Sequence, residues 1–121
     1  MSGLNRLPIL NVNFYRSDSG REPVREWLNS LTKEEKRIIG EDIKTAQFGW
    51  PIGMPLIKAL GQGLYEVRSN LENRISRVIF SVEGGRMILL HGFIKKDQKI
   101  PKKDLEVALK RYVKVKGGDQ L

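Results

Sequence analysis

Apolar and polar positions alternate from Leu10 to Arg16. Leu10, Val12 and Phe14 fall on one side and Asn11, Asn13 and Tyr15 on the other, and this period of two predicts a strand. Ser17-Asp18-Ser19-Gly20 is a turn cluster. Pro23 suits the first position of a helix, where its missing N–H costs nothing. The period then lengthens: Val24, Trp27, Leu28 and Leu31 recur at i, i+3, i+4 and i+7, one apolar stripe. Thr32 with Glu35 three residues on is a capping-box signature for a second helix. Ile39, Ile43 and Ala46 carry the stripe of that helix, and Gly49-Trp50-Pro51 ends it. Two consecutive helices after one strand make a helical hairpin, which reads as scaffold.

The Gly- and Pro-rich stretch 51–63, with Met54, Leu56, Ile57 and Leu60 interspersed, reads as a crossing loop with room for one short strand. Three strands follow, Leu64–Arg68, Arg74–Val82 and Arg86–Lys95, and Gly84-Gly85 is a two-residue hairpin turn between the last two. A final helix starts near Pro101, with Leu105, Ala108, Leu109 and Tyr112 as its stripe, and Gly117-Gly118 closes it. The order β-α-α-β-β-β-α predicts an α+β fold: an antiparallel sheet with the helical hairpin and the C-terminal helix mainly on one face. A length of 121 residues fits one domain over 1–121, with a core that needs no staples.

A register follows from the glycine turn. If Glu83 faces Arg86, then Phe80 faces Leu89, Val78 faces His91, Ser76 faces Phe93 and Arg74 faces Lys95, all on one face. The other face takes Ile79 with Leu90 and Ile75 with Ile94, and Arg77 opposite Gly92 interrupts it. Closing the 69–73 loop with Arg68 opposite Arg74 adds Arg68 to the face of Arg74, Lys95 and His91. Like charges directly opposite destabilise a sheet by a few tenths to about 1 kcal/mol, a cost that Glu66 two residues before Arg68 would partly neutralise. Such a cluster is what a phosphate requires, since it accepts charge-assisted hydrogen bonds from several Arg and Lys at once. Cations spread into solvent at the strand ends would satisfy the same spacing.

Charge and composition narrow the classes. The net charge is +8, and it is uneven: residues 1–56 hold 8 Lys/Arg against 7 Asp/Glu, residues 57–121 hold 14 against 7. A basic sheet and last helix favour a polyanion; a solubilising surface or an acidic protein partner would use the same charges. The chain has no cysteine and one histidine, which excludes thiol chemistry, disulfides and Cys- or His-rich metal sites. No apolar run approaches the roughly 20 residues of a membrane span, and the first ten residues are too short and broken for a secretory signal. No membrane contact and a cytoplasmic location are therefore expected. His91 is either a packed, hydrogen-bonded residue or a proton acceptor kept neutral by neighbouring cations. Phe93 is core or a platform for a base. Lys95, Lys96 and Lys99 make a solvated loop or a clamp on an RNA backbone.

The ordered set Tyr65-Glu66-Val67-Arg68, Arg74-Ile75-Ser76-Arg77 and His91-Gly92-Phe93-Ile94-Lys95-Lys96, followed by Pro101, resembles the phage-derived HigB-like branch of the RelE/ParE toxin superfamily. The resemblance runs from the opening strand through the last helix. It implies the toxin of a type II toxin–antitoxin system, a metal-independent, cofactor-free endoribonuclease cutting ribosome-bound messenger RNA. The RNA's own 2′-hydroxyl attacks the adjacent phosphate, and the protein orients, stabilises charge and moves protons. On that resemblance Arg68, Arg74 and Lys95 or Lys96 match positions of phosphate-contacting basic residues, with Arg77 beside them, and no general base is implied. Joined with the reading of the residues themselves, the candidate catalytic residues are Arg68, Arg74, His91 and Lys95, and the candidate RNA contacts Arg77, Phe93, Lys96 and Lys99. His91 is the first choice for proton transfer and Glu66 the second. The implied partners are messenger RNA, the ribosome and a small helix-turn-helix antitoxin. A ParE-like gyrase inhibitor, or a phage-derived nucleic-acid-binding module without catalysis, is the alternative. One departure is visible: relatives commonly carry Thr-Pro where this chain has Ile100-Pro101, and Ile cannot cap a helix through a side-chain oxygen. Tyr112 is the one tyrosine near the C-terminus, and its place in the apolar stripe favours packing.

Overall fold

The computed structural model describes residues 7–95 and 100–117. Strand β1 (Asn11–Phe14) leads to helices α1 (Pro23–Asn29) and α2 (Lys33–Gly49). Strands β2 (Ile57–Gly61), β3 (Leu64–Leu71), β4 (Arg74–Glu83) and β5 (Arg86–Lys95) precede helix α3 (Lys102–Lys116). The result is an α+β fold, three helices on a five-stranded sheet of order β1-β5-β4-β3-β2. Among the described residues no helix is long and apolar enough to cross a membrane.

Local signals act as their chemistry dictates. Pro23 opens α1. At α2 the Thr32 Oγ1 accepts from the Glu35 N–H and the Glu35 carboxylate accepts from the Thr32 N–H, both at 3.1 Å. Gly84 and Gly85 both take positive φ, the conformation a two-residue turn needs to follow the twist of its strands.

The short strand allowed for in the 51–63 stretch is β2, an edge strand antiparallel to β3. Two features differ from the pattern-based expectation. Strand β1 pairs parallel to β5, so the sheet is mixed. The helices also divide between the two faces. Under α1 and α2, Val24, Leu28, Ile39, Ile43 and Ala46 pack with Val67, Val78, Phe80 and Leu89. Under α3, Ala108, Tyr112 and Val115 pack with Leu64, Ile79, Ile88, Leu90 and Tyr15. Val78, Ile79 and Phe80 are consecutive and all buried, which only a sheet covered on both sides allows. Each such side chain contributes about 1.5–3 kcal/mol on leaving water.

Gly92 fixes the distance between β5 and α1. A Cβ there would stand 2.4–2.9 Å from atoms of the Trp27 ring, closer than any real contact. Gly92→Ala is expected to destabilise the protein by about 1–3 kcal/mol through overpacking, read as a fall in the urea midpoint at unchanged slope.

Candidate functional site

The site is set by two features of register. Between β3 and β4 the turn is tight: Leu71 pairs with Arg74 around Glu72-Asn73, with Asn73 at φ 66°. Arg68 therefore faces Arg77 and not Arg74. Between β4 and β5 the pairing starts as the glycine turn dictates, with Glu83 opposite Arg86 and Phe80 opposite Leu89. It then slips by one, because Ile79 pairs with His91 and leaves Leu90 as a bulge. Beyond the slip Val78 faces Gly92, Arg77 faces Phe93, Ser76 faces Ile94 and Ile75 faces Lys95. The expected pairs Val78 with His91, Ser76 with Phe93 and Arg74 with Lys95 do not form. A bulge supplies two residues against one and so reverses which face every later side chain takes.

These two differences act in the same direction. Arg68 moves to the α3 face through the tight turn, and His91 and Phe93 move there through the bulge. The carbonyl that the bulge takes out of the ladder is satisfied from α3: Arg111 Nη1 donates to Leu90 O at 2.6 Å. On the α3 face the rows across β3, β4 and β5 are Asn70-Ile75-Lys95, Arg68-Arg77-Phe93 and Glu66-Ile79-His91. The register thus puts Arg68, Arg77 and Lys95 on one face with His91 and Phe93, in place of the expected set with Arg74.

Arg74 does not belong to it. Its even position in β4 puts it on the α2 face, where it pairs with Glu35 and is 40% exposed. That guanidinium, and after it the Thr32 N–H, hold the Glu35 carboxyl below the usual carboxylate range. Lys96 and Lys99 lie outside the described residues.

Two opposed guanidiniums are tolerated because of Glu66. Its carboxylate accepts from Arg77 Nη1 at 3.0 and 3.3 Å, and both side chains are fully buried. Arg68 Nε lies 4.0 Å from the same carboxylate, and its side chain keeps 16% exposure. The second candidate for a proton-transfer residue is thus a buried counter-ion. An ion withdrawn from water costs several kcal/mol unless it is paired and hydrogen-bonded, and Glu66 supplies the counter-charge and accepts from Arg77 Nη1.

His91 stacks on Phe93, ring centroids 5.6 Å apart and planes 26° from parallel. Its Nε2 lies 2.6 Å from Asp104 Oδ1 in the first turn of α3. Phe93 is mostly covered and backs this ring. Asp104 leaves no trace in the strand pattern. The hint that points to it is its place three residues after Pro101, at the start of a helix with no capping hydroxyl.

The rest of α3 is structural. Its N-cap is Pro101, with no side-chain cap, as the Ile100-Pro101 departure predicts. Tyr112 is buried, packs against Gly63 and donates to Glu83 at 3.1 Å, toward the other end of β4 from Arg77. Burial, with Glu83 beside it, raises the phenol pKa. A cleft of about 440 Å³ flanks Arg68 and is lined also by Asp42, Pro55, Leu56, Asn70 and Ile75. A roomier one, about 640 Å³, runs along β1 past Arg16, Arg25 and Arg86, but there Glu22 pairs with both Arg16 and Arg25. At the β3–β5 face Arg68 and Arg77 both lie by the Glu66 carboxylate, with Lys95 on the same face.

No curated protein matches the chain. Residues 26–113 of 121, from α1 into the last turns of α3, match the family described as Phage derived protein Gp49-like (DUF891). That stretch spans both helical layers and every residue of the sheet-face cluster, and the chain belongs to the Gp49-like family of phage-derived proteins.

Proposed function

We propose that the protein is a messenger-RNA endoribonuclease of the RelE/HigB type, the toxin of a toxin–antitoxin pair, acting in the cytoplasm on message held in the ribosome. The observation that carries this reading is the convergence of Arg68, Arg77, Lys95 and His91 on one sheet face beyond the start of α3. The phage-derived family and the ordered motifs agree with it.

The reaction asks little covalent work of the protein. The 2′-oxygen forms a bond to phosphorus, the bond from phosphorus to the 5′-oxygen breaks, and a 2′,3′-cyclic phosphate and a 5′-hydroxyl result. One proton leaves the 2′-hydroxyl and one reaches the 5′-oxygen. Arg68 and Lys95 face the phosphate and stabilise the charge that develops on its free oxygens, the kind of preorganised contact worth roughly 10²–10³-fold in rate. Arg77 adds positive charge from beneath, anchored by Glu66. His91 moves a proton, a role worth about 10²–10⁴-fold. A helix-turn-helix antitoxin that neutralises this face is the expected partner.

Expression in bacteria with a repressible promoter tests the reading. The expected result is rapid arrest of translation with defined cuts in messages, mapped by primer extension. DNA damage with intact messages would point to gyrase instead. Normal growth with intact messages and intact DNA would leave a binding module without catalysis.

A further inference from the structure

We infer that Asp104 is a positioning residue, holding the His91 imidazole in one orientation and one tautomer from the first turn of α3. This rests on the reading of the sheet face as a cleavage site. A carboxylate only accepts hydrogen bonds, so a neutral imidazole 2.6 Å away must donate from Nε2, which leaves the lone pair on Nδ1. Phe93 lies against the ring and restricts its plane. The two side chains are 13% and 18% exposed, so little water competes for the bond. Tautomer and rotation are thus both restricted, as a proton-transfer group needs.

Helix chemistry explains why this carboxylate is available. Asp104 is the third residue after the N-cap Pro101, the position that Glu35 occupies after Thr32 in α2. Glu35 folds back onto the N–H of its N-cap residue. Proline has no N–H, so the same return is impossible at Pro101, and the Asp104 carboxylate reaches across to β5. The seating of α3 does not depend on this bond. Arg111 grips Leu90 O, Tyr112 donates to Glu83, Lys114 pairs with Asp18 at 2.6 Å, and Ala108 and Val115 are buried. The helix holds itself down by other means, and the bond to His91 serves the ring.

His91 is the single histidine of the chain, so its imidazole ¹⁵N resonances can be read without ambiguity. In the full-length protein at a pH where the ring is neutral, the Nε2–H tautomer is expected to dominate. In Asp104→Ala both tautomers are expected, and kcat for message cleavage is expected to fall about 10²-fold with KM little changed. Asp104→Glu should recover part of that rate. A wild-type ring protonated on Nδ1 overturns the inference whether or not the variants fold. So does an Asp104→Ala protein that loses thermal stability but keeps its tautomer and kcat. If His91→Ala abolishes cleavage while Asp104→Ala does not, the inference fails and the cleavage reading stands. If the wild-type chain cleaves nothing, that reading fails, and the tautomer comparison alone decides whether Asp104 orients the ring.

Discussion

Arg68→Ala is expected to lower the rate of message cleavage by roughly 10²–10³-fold, while Arg74→Ala leaves it close to the wild-type value. The contrast follows from strand register. Arg68 sits beside the buried Arg77–Glu66 pair on the α3 face, its side chain 16% exposed. Arg74 points the other way and pairs with Glu35 of α2. Both residues belong to basic motifs that look interchangeable in one dimension. Cleavage of a defined message in a translating extract, with matched amounts of folded protein, reads the difference directly. Equal losses for the two variants would mean that the active surface is not the α3 face.

Glu66→Gln is expected to destabilise the domain by about 3–5 kcal/mol, because it leaves a fully buried guanidinium without its counter-charge. Natural domains have only about 5–15 kcal/mol in total, so this one amide substitution should move the urea midpoint further than Gly92→Ala. The double variant Glu66→Leu with Arg77→Met removes both charges together. It should regain most of the lost stability, since apolar residues of similar volume replace a buried ion pair at little cost or with gain. It should also cleave poorly, having lost the positive charge beneath Arg68. A double variant that is both stable and fully active would reduce Arg77 to a structural role.

Much of the fold was legible because local chemistry and tertiary packing agree. The capping box of Thr32 and Glu35, the entry proline of α1 and the Gly84-Gly85 turn each appear where the residues demand. Strand β2 was hard to see because it is short and embedded in Gly and Pro. The division of helices between the faces was visible in outline: Val78-Ile79-Phe80 and Met87-Ile88-Leu89-Leu90 are unbroken apolar runs, whereas a sheet with one wet face alternates. Tyr15 shows the same effect at β1, being buried on the side that alternation assigns to polar residues.

The candidate residues were easier to pick from the motifs than to place on a face. The basic motifs name Arg68, Arg74, Arg77, His91 and Lys95 alike, and a pairing extrapolated from the glycine turn, which set Arg74 against Lys95, holds only as far as Phe80 opposite Leu89. Nothing in the residues near Leu90 announces a bulge. Its stabilising partner, Arg111, lies on another element and reaches the freed carbonyl only once α3 is in place. The His-Gly-Phe motif becomes intelligible after the slip. His91 and Phe93 serve one face, and Gly92 between them makes room for Trp27 on the other.

The side that the imidazole takes depends on the extra residue in β5 staying out of the ladder. If Leu90 were drawn in to pair with Ile79, His91 would fall opposite Val78 and turn toward the indole of α1, whereas deleting Leu90 would close the bulge and leave His91 opposite Ile79. Among proteins of this kind, whether the strand bulges there therefore says more about where the ring points than whether a histidine is conserved. A homologue can keep the residue and, with a regular ladder of the same length, present it to the opposite side of the sheet.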